Sequence, residues 1–343
     1  MASIPLATQG KIQNMIVKNH LRPMAGYQVV IEAALKAGAR SYFASPSPYH
    51  ALLLNEGAHR FQENHGSFIQ AESPAAALSM AYGAASVGAL PLVTCNEQDF
   101  LSMQEVLSYA CLNQKAMVIV VLANGAPGQQ SNQLSFQSLR YFFSPMMGTG
   151  QPLLTLLPSS HQELWNLTGR AFSRSLERSQ PVLLLMDPLL LQAVSEVRMT
   201  SHTSTFRQHK LNTLENNERL ALDLEQELWD QDSNHLLSDL PESPKILWLA
   251  AGLLGHWIQN LKEPDWGTLI PQSLSPFPSK ELRRQLREYP EAEVFLVEYK
   301  DTAWYRQVQS FFTDLKFRQL SLPSPPESVG LKTQLKKALE QTN

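Results

Sequence analysis

The chain has 343 residues, 28 Lys and Arg against 31 Asp and Glu, and a formal net charge of -3, so roughly two domains of about 100–200 residues each are expected. Acidic and basic residues interleave, which speaks against a nucleic-acid or anionic-membrane surface. The two cysteines, Cys95 and Cys111, form no C-x-x-C pair, which excludes an iron–sulfur cluster or structural zinc built from this chain's thiols.

The first stretch, MASIPLATQGKIQNMIVKNH, lacks a continuous apolar core of the signal-peptide kind, and residues 1–25 read as an N-terminal extension. No apolar run approaches the roughly 20 residues of a bilayer span, so a soluble, cytoplasmic protein without membrane contact is the expectation. From Gly26 the short apolar runs SYF, SFIQ, LPLVTC, AMVIVVLA, LLTLL and VLLLMD alternate with segments of helical period. Those segments are YQVVIEAALKAGA, YHALLLNEGAHRF, PAAALSMAYGAASVG, DFLSMQEVLSYACLNQ and HQELWNLTGRAFSRSLERS. The rhythm predicts an α/β domain over 26–193, a parallel sheet sandwiched by crossover helices.

Over 194–244 the chain turns polar and charged, reading as a linker with one amphipathic helix near Leu214 to Trp229. Alternation resumes at ILWLAAG and runs through TLIPQSL, SKELRRQLREY, VFLVEY, WYRQVQSFFTDL and FRQLSL to a final helix from Gly330. Residues 245–343 therefore read as a second, smaller α/β unit.

Several segments, in this order, resemble the alpha subunit of the 2-oxoacid:ferredoxin oxidoreductases, which decarboxylate pyruvate or 2-oxoglutarate with thiamine diphosphate. GYQVVIEAALKAGAR is similar to the family's opening G-N-E-A helix, FIQAESPAAALSMAYGAASVGA to its F-I-Q-M-E-D-E helix, and MQEVLSYACLNQKAMVIVVLANGAPG to its M-x-E-x-x-x-Y-A segment and following strand. LLPSSHQELWNLTGRAF, PVLLLMD, LSPFPSKEL and VFLVE continue the likeness into a C-terminal domain of transketolase type. The resemblance implies that residues 26–193 form the pyrimidine-binding side of a thiamine-diphosphate site. Magnesium and diphosphate would be held by a beta-type subunit carrying a G-D-G…N motif, absent from this chain. It further implies a hetero-oligomer whose electrons reach an iron–sulfur protein or ferredoxin, with no cluster and no metal ligand on this chain.

Against the family pattern, residue by residue, the site departs at four places. The activating carboxylate stands nine residues before the glycine matched by Gly83, and that position is Pro74, while Glu72 matches the first, non-catalytic acid of E-D-E. Glu72 either takes over the activating role or is a turn residue, with Ser73 as N-cap and Pro74 in the first helical position. YFASPSPYH is similar to the family's Y-P-I-T-P-S loop, with Ser45 for the threonine that approaches the 2-oxoacid; its plainer reading is a rigid strand-to-helix turn. Asn96, Glu97, Gln98 and Asp99, in NEQDFLSMQE, replace small residues that let backbone approach the cofactor; their plainer reading is a helix N-cap box, with Asn96 or Asp99 heading DFLSMQEVLSYA. Asn124 replaces an arginine able to pair the substrate carboxylate, and Asn-Gly is equally a turn pair.

Two functions are expected from these residues. One is a working alpha-type subunit using Ser45 and Glu72, and the other a catalytically silent relative kept for assembly or regulation. Scattered histidines, with His50 and His59 out of phase on one predicted helix, give no shared metal face. No phosphate-loop or G-x-S-x-G pattern occurs, and Met146 and Met147 read as an apolar loop.

Overall fold

The computed structural model describes residues 21–123, 153–200, 235–299, 303–312, 314–315, 317–322 and 330–342. Asn124, Met146, Met147, the expected linker helix and residues 1–20 lie outside the described residues. The first domain is built on a sheet of β2 (Ser41–Ala44), β3 (Ser67–Gln70), β4 (Pro91–Asn96), β5 (Met117–Leu122), β6 (Thr155–Leu156) and β7 (Pro181–Met186). Their order is β6-β7-β5-β4-β2-β3, all parallel.

Central strands such as MVIVVL are buried at every residue, which is why they read as unbroken apolar runs rather than alternating ones. Alternate side chains nevertheless feed different cores. Ile119, Val121, Val93 and Leu183 pack with α3 (Pro74–Ser86) and α5 (Gln104–Leu112) on one face. Val118, Val120, Leu92 and Leu184 pack with α1 (Gly26–Lys36), α2 (Ala51–Glu63) and α6 (His161–Arg178) on the other. The helix expected over DFLSMQEVLSYACLNQ is two, α4 (Glu97–Ser102) and α5, with Met103 between them.

The second sheet contains β9 (Leu236–Asp239), β10 (Ile246–Leu249), β11 (Trp266–Pro271), β13 (Glu293–Tyr299) and β14 (Arg318–Leu322), in the order β14-β13-β10-β11-β9. It is parallel except for β9, and its outer face packs on α8 (Gly252–Gln259) and the final helix (Leu331–Thr342) through Trp248, Phe295, Leu254 and Leu331.

Strands occur inside the segment read as linker and next to it. β1 (Leu21–Ala25) and β8 (Val194–Arg198) pair antiparallel across almost the whole first domain. A pairing between two largely exposed strands so distant in sequence leaves no local apolar pattern. β9 likewise lies within 194–244 yet edges the second sheet.

The two units are fastened at Gln272. There the chain leaves β11 and at once becomes β12 (Ser273–Ser275), which pairs with β6 at the edge of the first sheet. The Gln272 amide donates to Glu163 Oε1 at 2.6 Å, while Ser159 donates to Glu163 Oε2 through its backbone N–H at 2.9 Å and its hydroxyl at 2.6 Å. A buried carboxylate satisfied by three donors thus ties the start of α6 to the second domain.

Candidate functional site at the carboxyl edge of the first sheet

In a parallel sheet the carboxyl ends of the strands share one edge, and ligand-binding loops collect there. In register, Ala44 sits opposite Gln70 and Thr94, and Asn96 opposite Leu122. The turns after β2, β3 and β4 therefore leave the same edge, carrying Ser45, Glu72 with Pro74, and Asn96 with Glu97 respectively.

The turn after β2 is closed by side chains. Pro46 and Pro48 lack N–H donors, and the 3-10 turn Pro48–His50 is capped by Ser47, whose hydroxyl accepts from the Tyr49 N–H at 3.3 Å. Ser47 also accepts from Asn96 Nδ2 at 3.3 Å, which brings the β2 and β4 turns into contact. Ser45 is buried and its hydroxyl has no hydrogen-bond partner among the described residues.

The turn after β3 is joined to β2 by the Ala71 N–H, which donates to the Ala44 carbonyl at 2.8 Å. Ser73 caps α3, accepting from the Ala76 N–H at 3.2 Å, and Pro74 occupies the first helical turn, where its missing N–H is no loss. Glu72 precedes the cap and is exposed, with no hydrogen bond or ion pair among the described residues. After β4, Asn96 caps α4 by accepting from the Asp99 N–H at 2.8 Å. Glu97 opens that helix with its side chain 2% exposed, so its carboxylate lies within the protein rather than out at the edge. Burial pushes the Asp99 carboxyl above its usual range, opposed by a hydrogen bond from the Asn96 backbone.

A thiamine pyrimidine needs a carboxylate at its ring nitrogen. Position 74 cannot supply one, whereas Glu72 offers an exposed carboxylate at the edge that also carries the turn of Ser45. Among the matched positions within the described residues, Glu72 alone presents an exposed carboxylate of the kind a pyrimidine nitrogen needs. No group of three or more His, Cys, Asp or Glu able to hold a metal occurs among the described residues. No described helix is long and apolar enough to cross a membrane. Cys95 and Cys111 are buried free thiols, and burial pushes the Cys111 thiol up to about 12, far from nucleophilic use.

The sequence reading missed His50, weighed there only as a metal ligand. It is fully buried, and its Nε2 lies 3.0 Å from the Ser45 carbonyl oxygen. Burial lowers the affinity of four histidines for a proton: His50, His161, His256 and His235, the last brought down to about 4 by burial and by Arg170 and Arg174 beside it. An unfolded histidine binds its proton near pH 6.5, so acidification from about 6.5 towards 4 favours the unfolded chain. Asp187 works in the opposite sense: burial raises it to about 6, and protonation between about 6 and 3.8 relieves an unfavourable buried charge. Asp99 and Glu56, also raised by burial, act with Asp187; four histidines face these three carboxyls, so the melting temperature is expected to fall below pH 6.5, and less steeply in His235→Gln. An equal slope in that variant would contradict the assignment.

Residues 31–233 match the family model described as "Pyruvate flavodoxin/ferredoxin oxidoreductase, thiamine diP-bdg". The chain is 30% identical over 179 residues to ketoisovalerate oxidoreductase subunit VorB of Methanothermobacter marburgensis, covering 50% of this chain and 49% of that protein. To 2-oxoglutarate synthase subunit KorA of Methanothermobacter thermautotrophicus it is 27% identical over 165 residues, covering 48% and 44%. The chain thus spans about half the length of the curated relatives it matches. Among solved structures, 2-oxoglutarate:ferredoxin oxidoreductase from Magnetococcus marinus superposes with a TM-score of 0.73 at 15% identity, over 93% of this chain and 65% of that one. A split-gene transketolase in an inactive beta4 tetramer gives 0.57 at 11% identity, over 93% and 98%. At such identities the likeness is one of fold. With more than half its length matched by the family model, the chain belongs to the pyruvate flavodoxin/ferredoxin oxidoreductase family, through the thiamine-diphosphate-binding region of that family.

Proposed function

We propose that this chain is the alpha-type subunit of a 2-oxoacid:acceptor oxidoreductase of the ferredoxin-linked kind. It supplies the pyrimidine side of a thiamine-diphosphate site completed by a beta-type subunit that holds magnesium and diphosphate. The observation that carries this reading is the carboxyl edge itself, where the turns bearing an exposed Glu72 and a buried Ser45, its hydroxyl unsatisfied among the described residues, leave the sheet together in a family that binds this cofactor. The bound cofactor supplies a carbon nucleophile that permits decarboxylation of a 2-oxoacid. In this reading Glu72 accepts a hydrogen bond from the pyrimidine and Ser45 donates one to the 2-oxoacid. Electrons leave to an iron–sulfur protein or ferredoxin, and the substrates named for VorB and KorA support the 2-oxoacid class.

A partner is supported by α3, which follows Glu72 directly. From Pro74 to Leu90 it carries no charged residue, yet Met80 is 44% and Val87 85% exposed. A helix apolar all round is normally covered. Gly83 lies in its exposed part, and a Cβ built there meets nothing within 4 Å, so nothing among the described residues requires glycine. Gly83→Ala is therefore expected to stabilise the isolated chain, by up to about 1 kcal/mol, and Gly83→Arg to leave it folded but prevent co-purification with the beta-type subunit. Undiminished association of Gly83→Arg would argue that α3 is not the contact face.

A second reading is favoured by one observation: Pro74 fills the first turn of α3, where the family carries its acid. A catalytically silent relative retained for assembly or regulation would look this way. Reconstitution decides between the two, since thiamine-dependent release of carbon dioxide from pyruvate, 2-oxoglutarate or 2-oxoisovalerate supports the first and its complete absence the second.

A further inference from the structure

Ser45-Pro46-Ser47-Pro48-Tyr49-His50 contains two prolines in six residues, so few backbone donors remain to tie its carbonyls. The Ser45 carbonyl is held instead by His50 Nε2 at 3.0 Å, across the turn. A carbonyl oxygen only accepts, so Nε2 carries the ring proton and Nδ1 is a bare acceptor. Both His50 Nδ1 and Ser45 Oγ are buried without a hydrogen-bond partner among the described residues. Unsatisfied buried polar atoms are rare and expensive, and two within one turn at the ligand edge of a parallel sheet require a reason.

We propose that His50 is a positioning residue, whose Nε2–H grips the Ser45 carbonyl and so fixes the Ser45 hydroxyl, unsatisfied, for a carbonyl or carboxylate oxygen of the 2-oxoacid. This rests on the alpha-subunit reading. The grip acts through the backbone of Ser45, so His50 touches neither substrate nor cofactor. The turn is braced a second time by the hydrogen bond from Asn96 to Ser47, which leaves the Ser45 side as the part that His50 alone secures among the described contacts.

The test uses the complex of this chain with its beta-type partner and thiamine diphosphate, titrated calorimetrically with 2-oxoglutarate, pyruvate and 2-oxoisovalerate. His50→Leu is expected to weaken 2-oxoacid binding about tenfold, the value of roughly one hydrogen bond, without changing cofactor affinity. His50→Gln, whose amide N–H can reach the same carbonyl, is expected to recover most of it, and Ser45→Ala to add nothing in the His50→Leu background. Additive losses, or unchanged binding in His50→Leu, would overturn the assignment. If the wild-type complex binds none of the three acids, the subunit reading fails, and the chain alone still decides the role of His50. Nitrogen-15 NMR of the wild type is then expected to show a protonated Nε2 and bare Nδ1, with a Ser45 carbonyl carbon shift that moves in His50→Leu and returns in His50→Gln. A protonated Nδ1, or a Ser45 carbonyl indifferent to His50, would overturn it.

Discussion

Glu72→Gln, assembled with the beta-type subunit, is expected to lose about 10²–10⁴-fold in thiamine-dependent decarboxylation, the usual contribution of one positioned acid–base group. The change keeps side-chain volume and removes only the charge. Glu72 is exposed and makes no hydrogen bond or ion pair among the described residues, so the melting temperature should not move. Activity and stability are thereby separated in one variant. Pro74→Glu is the informative companion. It returns a carboxylate to the family's position in the first turn of α3, where negative charge also suits the helix end. A rate unchanged by Glu72→Gln but raised at least a hundredfold by Pro74→Glu would mean that the native chain lacks its activating acid. The silent reading would then stand.

The largest effect on stability is expected at Gly26, which opens α1. A Cβ there would lie 2.1 Å from the Leu190 carbonyl oxygen and 2.9 Å from Leu191 Cα, both backbone atoms of the short helix α7 (Pro188–Gln192). Neither can swing aside as a side chain would. The Gly26 N–H donates to the Ala193 carbonyl at 3.2 Å, Asp187 caps α7, and the β1–β8 ladder begins next to the contact with Ala25 opposite Val194. Gly26→Ala should therefore destabilise by about 3 kcal/mol or more, at or beyond the top of the overpacking range, whereas Gly83→Ala should not destabilise at all. Chemical denaturation of both variants checks this, and a Gly26→Ala loss below about 0.5 kcal/mol would contradict the geometry.

Much of the fold was legible because its signals are local. Strands buried on both faces read as continuous apolar runs, as in PVLLLM, and Ser73-Pro74 and Asn96 announced the helix starts that they cap. What escaped depends on long-range partners. β1 and β8 are held by each other across more than 160 positions of chain, and β9 lies in a polar stretch whose only cue is the sheet edge it joins. The break at Met103 interrupts no apolar period, since Phe100, Met103 and Leu107 all face the same core.

The candidate site was legible as a set of loops but not as a set of environments. Sequence grouped Asn96 with Glu97 as acidic or bulky intruders, yet in the fold one is a cap and the other a buried side chain. Glu72 and Ser45 reach the same edge with opposite exposure, the first open and the second enclosed, which no spacing rule conveys. His50 acts on a backbone carbonyl five residues earlier, a contact without a sequence signature.

The central claim is that this chain completes a thiamine-diphosphate site, and a titration tests it most directly. Thiamine diphosphate with magnesium is titrated into the beta-type subunit alone, into this chain alone, and into their complex. The expected result is weak or absent binding to this chain, with at least a tenfold tighter dissociation constant for the complex than for the beta-type subunit alone. Equal affinity with and without this chain would contradict it.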